Sequence, residues 1–303
     1  MSFLFTCPHC QAKTQVDDRY SGQAGQCAVC GEPIQLPTIA SSVDPPTKQS
    51  TGIRSLGWLV SACVLLVLLL CLLFAVIRYG GSTLAQLTNS RQRTTSLNNL
   101  QQIAEALNAY AADHGTYPPP ATVDQNGVPL HSWRVLILPY LGEDRLYNEF
   151  DLSLPWNHAD NLNVVYQNSP PTALIHPNAN ANGLSQQSGY HLVVGQGTLF
   201  PPSGPLSPDQ VTDDPALTLL VIEAAPASSM NMWTEPVELD FGTMLGRING
   251  TAGIEPGGML DGGAAVATVD GRVHFAKETL SPNIVRSLIT PTGSEPLPDD
   301  ALD

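Results

Sequence analysis

Residues 56–77 read LGWLVSACVLLVLLLCLLFAVI, an uncharged run of 22 residues with only Val and Leu from Val64 to Leu70. As a helix rising about 1.5 Å per residue it reaches about 33 Å, enough for a hydrocarbon layer of about 30 Å. Arg54 and Arg78 bracket it, and Trp58 and Tyr79 stand where interfacial anchors belong. A secretory signal would start nearer the N-terminus, be shorter, and carry a small-residue cleavage site directly after it. The run is therefore expected to be one retained transmembrane helix, residues 55–79, and it sorts everything on either side of it.

Ahead of the span lie Cys7-Pro-His-Cys10 and Cys27-Ala-Val-Cys30, two Cys-x2-Cys pairs separated by 16 residues. Each pair forms a knuckle presenting two thiolates, and two knuckles complete the tetrahedral shell of a structural zinc site at Cys7, Cys10, Cys27 and Cys30. Four protein ligands leave no open coordination position, so the zinc (Zn2+) is expected to be structural, not catalytic. In so short a module, residues 1–37, the metal replaces a core and the metal-free form should unfold. His9, inside the first knuckle, reads as a bystander. Phe3–Phe5 and Ile34–Leu36 read as short strands beside the knuckles, and 38–54, with Pro45-Pro46, as a linker.

Charge is divided as sharply as cysteine. Residues 1–55 hold four basic and four acidic side chains; removing these from the totals of 13 Lys+Arg and 27 Asp+Glu leaves 9 basic and 23 acidic residues after the span, the whole of the net −14. Such a surface repels phosphate backbones, which argues against a nucleic-acid partner. No cysteine follows Cys71, so the large part has no disulfide framework. Cys63 and Cys71, in the span, read as apolar filler or a helix contact. Basic residues flank the span on both sides, so the positive-inside rule does not orient it. A four-thiolate site is best kept reduced, which predicts a cytosolic N-terminus and an extracytoplasmic C-terminal part.

Beyond the span, Leu97, Leu100, Ala104, Leu107 and Ala111 recur at spacings of three and four, predicting an amphipathic helix from about Ser82 to His114, closed by Gly115 and Pro118–Pro120. Residues 133–141 and 143–150 read as two short helices. Tyr190–Gly195, Leu217–Glu223, Ala264–Val269 and Arg272–Phe275 read as strands, the last two joined by the hairpin signal Asp270-Gly271. Ser281-Pro282 caps and opens a final helix. Residues 291–303 read as a disordered acidic tail. The fold class is α+β: zinc ribbon, transmembrane helix, and a long helix packed on an antiparallel sheet across 80–290.

Four segments resemble a bacterial family known only as domain of unknown function 1559 (DUF1559) and described as pseudopilin-like: Asn98–Ile103 with Tyr110 and Thr116-Tyr-Pro118; Ser132-Trp-Arg-Val with Leu138-Pro-Tyr-Leu141; Leu154-Pro-Trp-Asn157; and Val269-Asp-Gly-Arg-Val273. The likeness covers about residues 96–290. It implies an exported domain with a long helical spine and no assigned activity. Many members carry Cys-Pro where this chain has His176-Pro177, and a histidine where it has Leu260. Pseudopilins also begin with a short basic leader, whereas here 55 residues and the cysteine pairs precede the helix, so a prepilin peptidase has no usual substrate.

No Gly-x-Ser-x-Gly elbow, phosphate-binding loop or His-Glu-x-x-His occurs, and His114, His131, His158, His176, His191 and His274 are scattered without ligand spacing. The pseudopilin resemblance implies a calcium loop as one option, with Asp240, Asp261 and Asp270 as its candidates here, while the residues themselves read as solvated turn aspartates. Trp133, Trp156 and Trp233 read as core and turn anchors. The sequence therefore predicts a non-enzymatic, membrane-anchored interaction protein of the cell envelope with protein partners on one or both sides. A solute- or polymer-binding module and an envelope hydrolase stand as alternatives.

Overall fold

The computed structural model describes residues 2–39, 52–179, 186–226, 232–298 and 301–302. The greater part of the expected linker, 40–51, lies outside these residues, as do the side chains of Arg54, Arg78 and Tyr79. The chain divides into two units, Met1–Leu73 and Phe74–Asp303.

In the first unit, β1 (Ser2–Thr6) pairs antiparallel with β2 (Lys13–Asp17), and β3 (Ala24–Gln26) with β4 (Pro33–Gln35). Alternation along β1 turns Phe3 and Phe5 to the half-buried side and leaves Leu4 exposed. Among the described residues of this unit only Cys7 and Cys27 are fully buried. Apolar burial this thin cannot offset the entropy of ordering the chain. The span follows in α1 (Gly52–His114): Gly57–Val76 is long and apolar enough to cross a membrane, with mean hydropathy 3.2 and 0% of the window buried.

The second unit has a true core. The C-terminal part of α1 places Leu100, Ala104, Leu107 and Ala111, four of the positions singled out by spacing, together with Ile103, in the cluster formed with β9 (Leu219–Glu223) and β11 (Gly263–Thr268), while the fifth, Leu97, packs against it partly buried. Before them come β5 (Ala121–Val123), β6 (Pro129–Ser132), α2 (Trp133–Leu136), a 3-10 turn at Leu138–Leu141, α3 (Asp144–Tyr147) and α4 (Ala159–Gln167). Next in chain order are β7 (Tyr190–His191), β8 (Val193–Val194) and, after β9, β10 (Leu239–Asp240). With β12 (Val273–Lys277) the main sheet has order β12-β11-β9-β7, antiparallel throughout. Residues of β11 alternate between two apolar clusters: Ala265 and Ala267 face the α1 side, while Ala264 and Val266 face Val285, Leu288 and Ile289 of α5 (Pro282–Ile289). Small residues on both faces of a central strand let helices close on the sheet from both sides. Trp133 and Trp233 are core residues, as expected.

Two local expectations change. The hairpin at Asp270-Gly271 closes through three residues, not two: the amide of Gly271 donates to Thr268 O at 2.9 Å and that of Thr268 to Arg272 O at 2.9 Å. Gly271, at φ +85°, takes the left-handed bulge position such a loop requires. The predicted disordered tail is the second. Leu297, Ala301 and Leu302 pack into the α5-side cluster, Ala301 and Leu302 fully buried, because two apolar side chains between aspartates still find area to cover. Asp213 anchors the approach by accepting from the amides of Gly293 and Ser294 at 2.9 and 3.0 Å.

Candidate metal centre

The four cysteines meet. Cys7 Sγ lies 3.9 Å from Cys30 Sγ, Cys10 Sγ lies 3.8 Å from Cys27 Sγ, and all four sulfurs fall within 4.8 Å of one another. A tetrahedral ion with sulfurs at about 2.3 Å requires sulfur–sulfur edges of about 3.8 Å. The set therefore fits one four-coordinate metal ion of zinc's size. Among the described residues no other group of His, Cys, Asp or Glu could hold a metal, and His9 lies outside this one.

Local backbone chemistry builds the site twice. In the first knuckle the amide of Cys7 donates to Ala12 O and that of Gln11 to Cys7 O, both at 2.9 Å. The second repeats the pattern, Cys27 to Glu32 O at 2.9 Å and Gly31 to Cys27 O at 2.8 Å. The residue after the second cysteine of each pair must turn left-handed: Gly31 at φ +74° does so freely, and Gln11 at φ +61° does so against the clash of its Cβ. Thiol ionisation is uneven. Amides of Cys30 and Val29 hold the Cys27 thiol down to about 6. At Cys30 the Glu32 amide also pulls downward, but burial and the thiols of Cys10, Cys27 and Cys7 outweigh it and push the group up to about 12. Four thiolates this close need a cation to balance them.

The other sequence candidates do not converge. Asp240 accepts from the Gly242 amide at 2.8 Å, Asp261 from Asn89 Nδ2 at 2.6 Å, and Asp270 from Thr268 Oγ1 at 2.6 Å, each within its own turn or contact. The histidines are equally dispersed, but two of them enter buried polar clusters that sequence reasoning missed. In the first, Arg134 is fully buried and reaches Glu238 Oε1 at 2.7 Å and Tyr190 O at 2.7 Å. Glu238 also accepts from Trp133 Nε1 at 2.8 Å and from the Leu192 amide at 2.7 Å. Burial pushes the Glu238 carboxyl up to about 6 against the pull of Arg134, and burial, with Arg134 adding to it, drives the His191 imidazole down to about 3. His191 is therefore neutral, with Nδ1 accepting from Arg134 Nη2 at 3.2 Å.

The second cluster pins α1 to the sheet. Glu223 Oε2, with no exposed surface, accepts from Ser96 Oγ at 3.0 Å and the Ala265 amide at 3.2 Å, and faces His176 Nε2 at 3.4 Å. Tyr190 Oη donates to Ser96 Oγ at 3.1 Å and accepts from Asn99 Nδ2 at 3.2 Å. Gly189 makes room for the His176 ring, since a Cβ there would stand 2.5 Å from the histidine's own Cβ. The Trp-Arg-Val segment did flag Arg134. Nothing local marked Glu238, 104 residues on in the chain.

Taken together, the four-thiol centre, the apolar helix and the mixed helix–sheet domain define a modular α+β protein with one metal-binding-capable module. Residues 89–218 match the family described as a protein of unknown function (DUF1559), from the middle of α1 to the residue before β9. The Val269–Val273 motif lies beyond that stretch. No curated protein and no solved structure matches the chain.

Proposed function

We propose that the chain is a non-enzymatic, membrane-anchored interaction protein of the bacterial envelope, with a zinc ribbon in the cytosol and a pseudopilin-like domain outside it. One observation carries the reading. A closed four-sulfur shell stands in one unit and a cysteine-free acidic domain in the other, and an apolar helix window with 0% of its residues buried lies between the knuckles and that domain's core. Thiolate ligands favour the reducing compartment, and the saturated shell suits zinc in a structural role. The ribbon is the docking element for a cytosolic protein. A long helix on an antiparallel sheet supports the pseudopilin likeness. Against hydrolysis by one buried Ser–His–carboxylate trio, Ser96 and His176 both approach the same oxygen of Glu223, and all three side chains are buried, so this trio offers a substrate no accessible nucleophile.

Topology and role are tested together. In spheroplasts, external protease is expected to remove the domain after the span and to spare residues 2–37; digestion of the ribbon from outside would overturn the orientation. Full-length chain and a version lacking residues 1–40 are then purified from membranes. Identical sets of co-purifying proteins would remove the docking role.

A further inference from the structure

A cleft of about 580 Å³ in the second unit opens between α1, the C-terminal end of α4 and the segment 169–177, with Gln186 on its wall. Its volume lies in the range of small-molecule sites. The domain carries the whole of a −14 charge, yet no Asp, Glu, Lys or Arg lines this cleft. At the rim Asn168 is held by Arg145 at 2.9 Å and Glu149 at 2.8 Å, two charges that pair with each other. An ionic ligand would find no counter-charge to repay its desolvation.

The one imidazole of the lining, His176, turns Nε2 to Glu223 at 3.4 Å, and the rest of the lining offers uncharged hydrogen-bonding groups. Gln186 Oε1 is buried with no partner among the described residues. Thr95, Ser169 and Thr172, each bearing a hydroxyl, also line the cleft. Asn99 fixes the wall behind them, its Nδ2 donating to Thr172 O at 3.3 Å and Ile175 O at 3.1 Å. An apolar occupant would leave the Gln186 carbonyl without a partner, whereas a hydroxyl donor would supply one. Tyr166 completes the arrangement: it lines the same cleft from α4, stands 68% exposed, and stacks on no other ring among the described residues. Amides and hydroxyls beside an open aromatic face complement a ring that is polar at its edge and carries C–H groups on its face. We propose that this cleft binds a neutral saccharide, a short stretch of a neutral glycan chain. The surrounding negative charge selects against uronic-acid and sulfated glycans.

The test uses the full chain in a detergent without a sugar headgroup. Maltohexaose, cellohexaose, xylohexaose and mannohexaose serve as neutral probes and trigalacturonic acid as the charged one, read by saturation-transfer NMR and calorimetry. At least one neutral oligomer is expected to bind. Tyr166→Ala is expected to weaken it by about tenfold, the worth of one stacking face, and Gln186→Ala by several-fold. Because Tyr166 is exposed, its variant should melt with the wild type, which separates lost binding from lost folding. Silence from all four neutral probes, undiminished binding in both variants, or equal binding of trigalacturonic acid would each overturn the proposal. None of these outcomes bears on the orientation of the span or the partners of the ribbon.

Discussion

The ribbon and the domain beyond the span solve the same problem with opposite means. In the ribbon, full burial among the described residues is confined to Cys7 and Cys27, so four sulfurs around one point must hold it. The second unit has no cysteine after the span and fixes its fold with two apolar clusters on the faces of one sheet, joined by buried polar groups. One unit concentrates its stability in a single centre; the other spreads it over dozens of side chains. The comparison breaks cleanly under chelation. Stripping metal from the full chain should abolish amide-exchange protection across residues 2–37, because a structural metal, zinc being the measured case, supplies about 10–16 kcal/mol to modules of this size. Protection in α1 beyond Ser96 and in β9–β12 should not change. Loss of protection in both would mean that the second unit depends on the metal.

The counterpart in the second unit is Arg134→Met. It removes the buried partner of Glu238 and leaves a carboxylate beneath the surface with only neutral donors. A loss of about 3–5 kcal/mol is expected in denaturant unfolding of the second unit, with metal content by elemental analysis unaltered. A loss below about 1 kcal/mol would show that the pair is not desolvated as described.

These two predictions also mark what the sequence made legible. The cysteine spacing, the apolar run, the α1 stripe and the Ser281-Pro282 start of α5 are local patterns, and each appears where the pattern put it. What escaped was mostly non-local. Glu238 and Glu223 find their partners across the fold, and the burial of Leu302 depends on an α5-side surface that no stretch of the tail announces. Helix α4 escaped for a different reason. Only Asn161 and Val165 of its nine residues are buried, so the apolar stripe is too narrow to read, and its cap is a histidine, His158 Nδ1 accepting from the Asp160 amide at 3.4 Å.

Acid should separate the units more gently. His191 is held neutral with its pKa down to about 3, so it contributes stability that is complete above the usual 6.5 and is lost as pH falls through that interval. Glu238 runs the other way: raised from 4.5 to about 6, it contributes below 4.5 and loses that contribution as pH rises to about 6. Between pH 6.5 and 6 only the histidine acts, between 6 and 4.5 the two oppose, and below 4.5 the histidine again acts alone. His191→Asn is therefore expected to flatten the acid limb of the melting profile of the second unit near pH 6. An unchanged limb would assign the acid response to other groups.

The smallest effect lies within the ribbon, between its two nearly equivalent knuckles. Gln11 and Gly31 occupy the same turn position with φ of +61° and +74°, and only the glycine is free of Cβ strain there. The left-handed conformation costs a side-chain-bearing residue about 1–2 kcal/mol. Gln11→Gly relieves that strain, while the extra freedom it gives the unfolded chain returns about 0.5–1 kcal/mol of the gain. What remains should tighten metal binding by less than about tenfold, measured by chelator competition on the full chain. The mirror change, Gly31→Gln, should loosen it by a similar factor, since it imposes on the second knuckle the strain already present in the first. If Gln11→Gly weakened the metal instead, the Gln11 side chain would be supporting the site by contacts other than its backbone turn, and the two knuckles would no longer be equivalent halves of one shell.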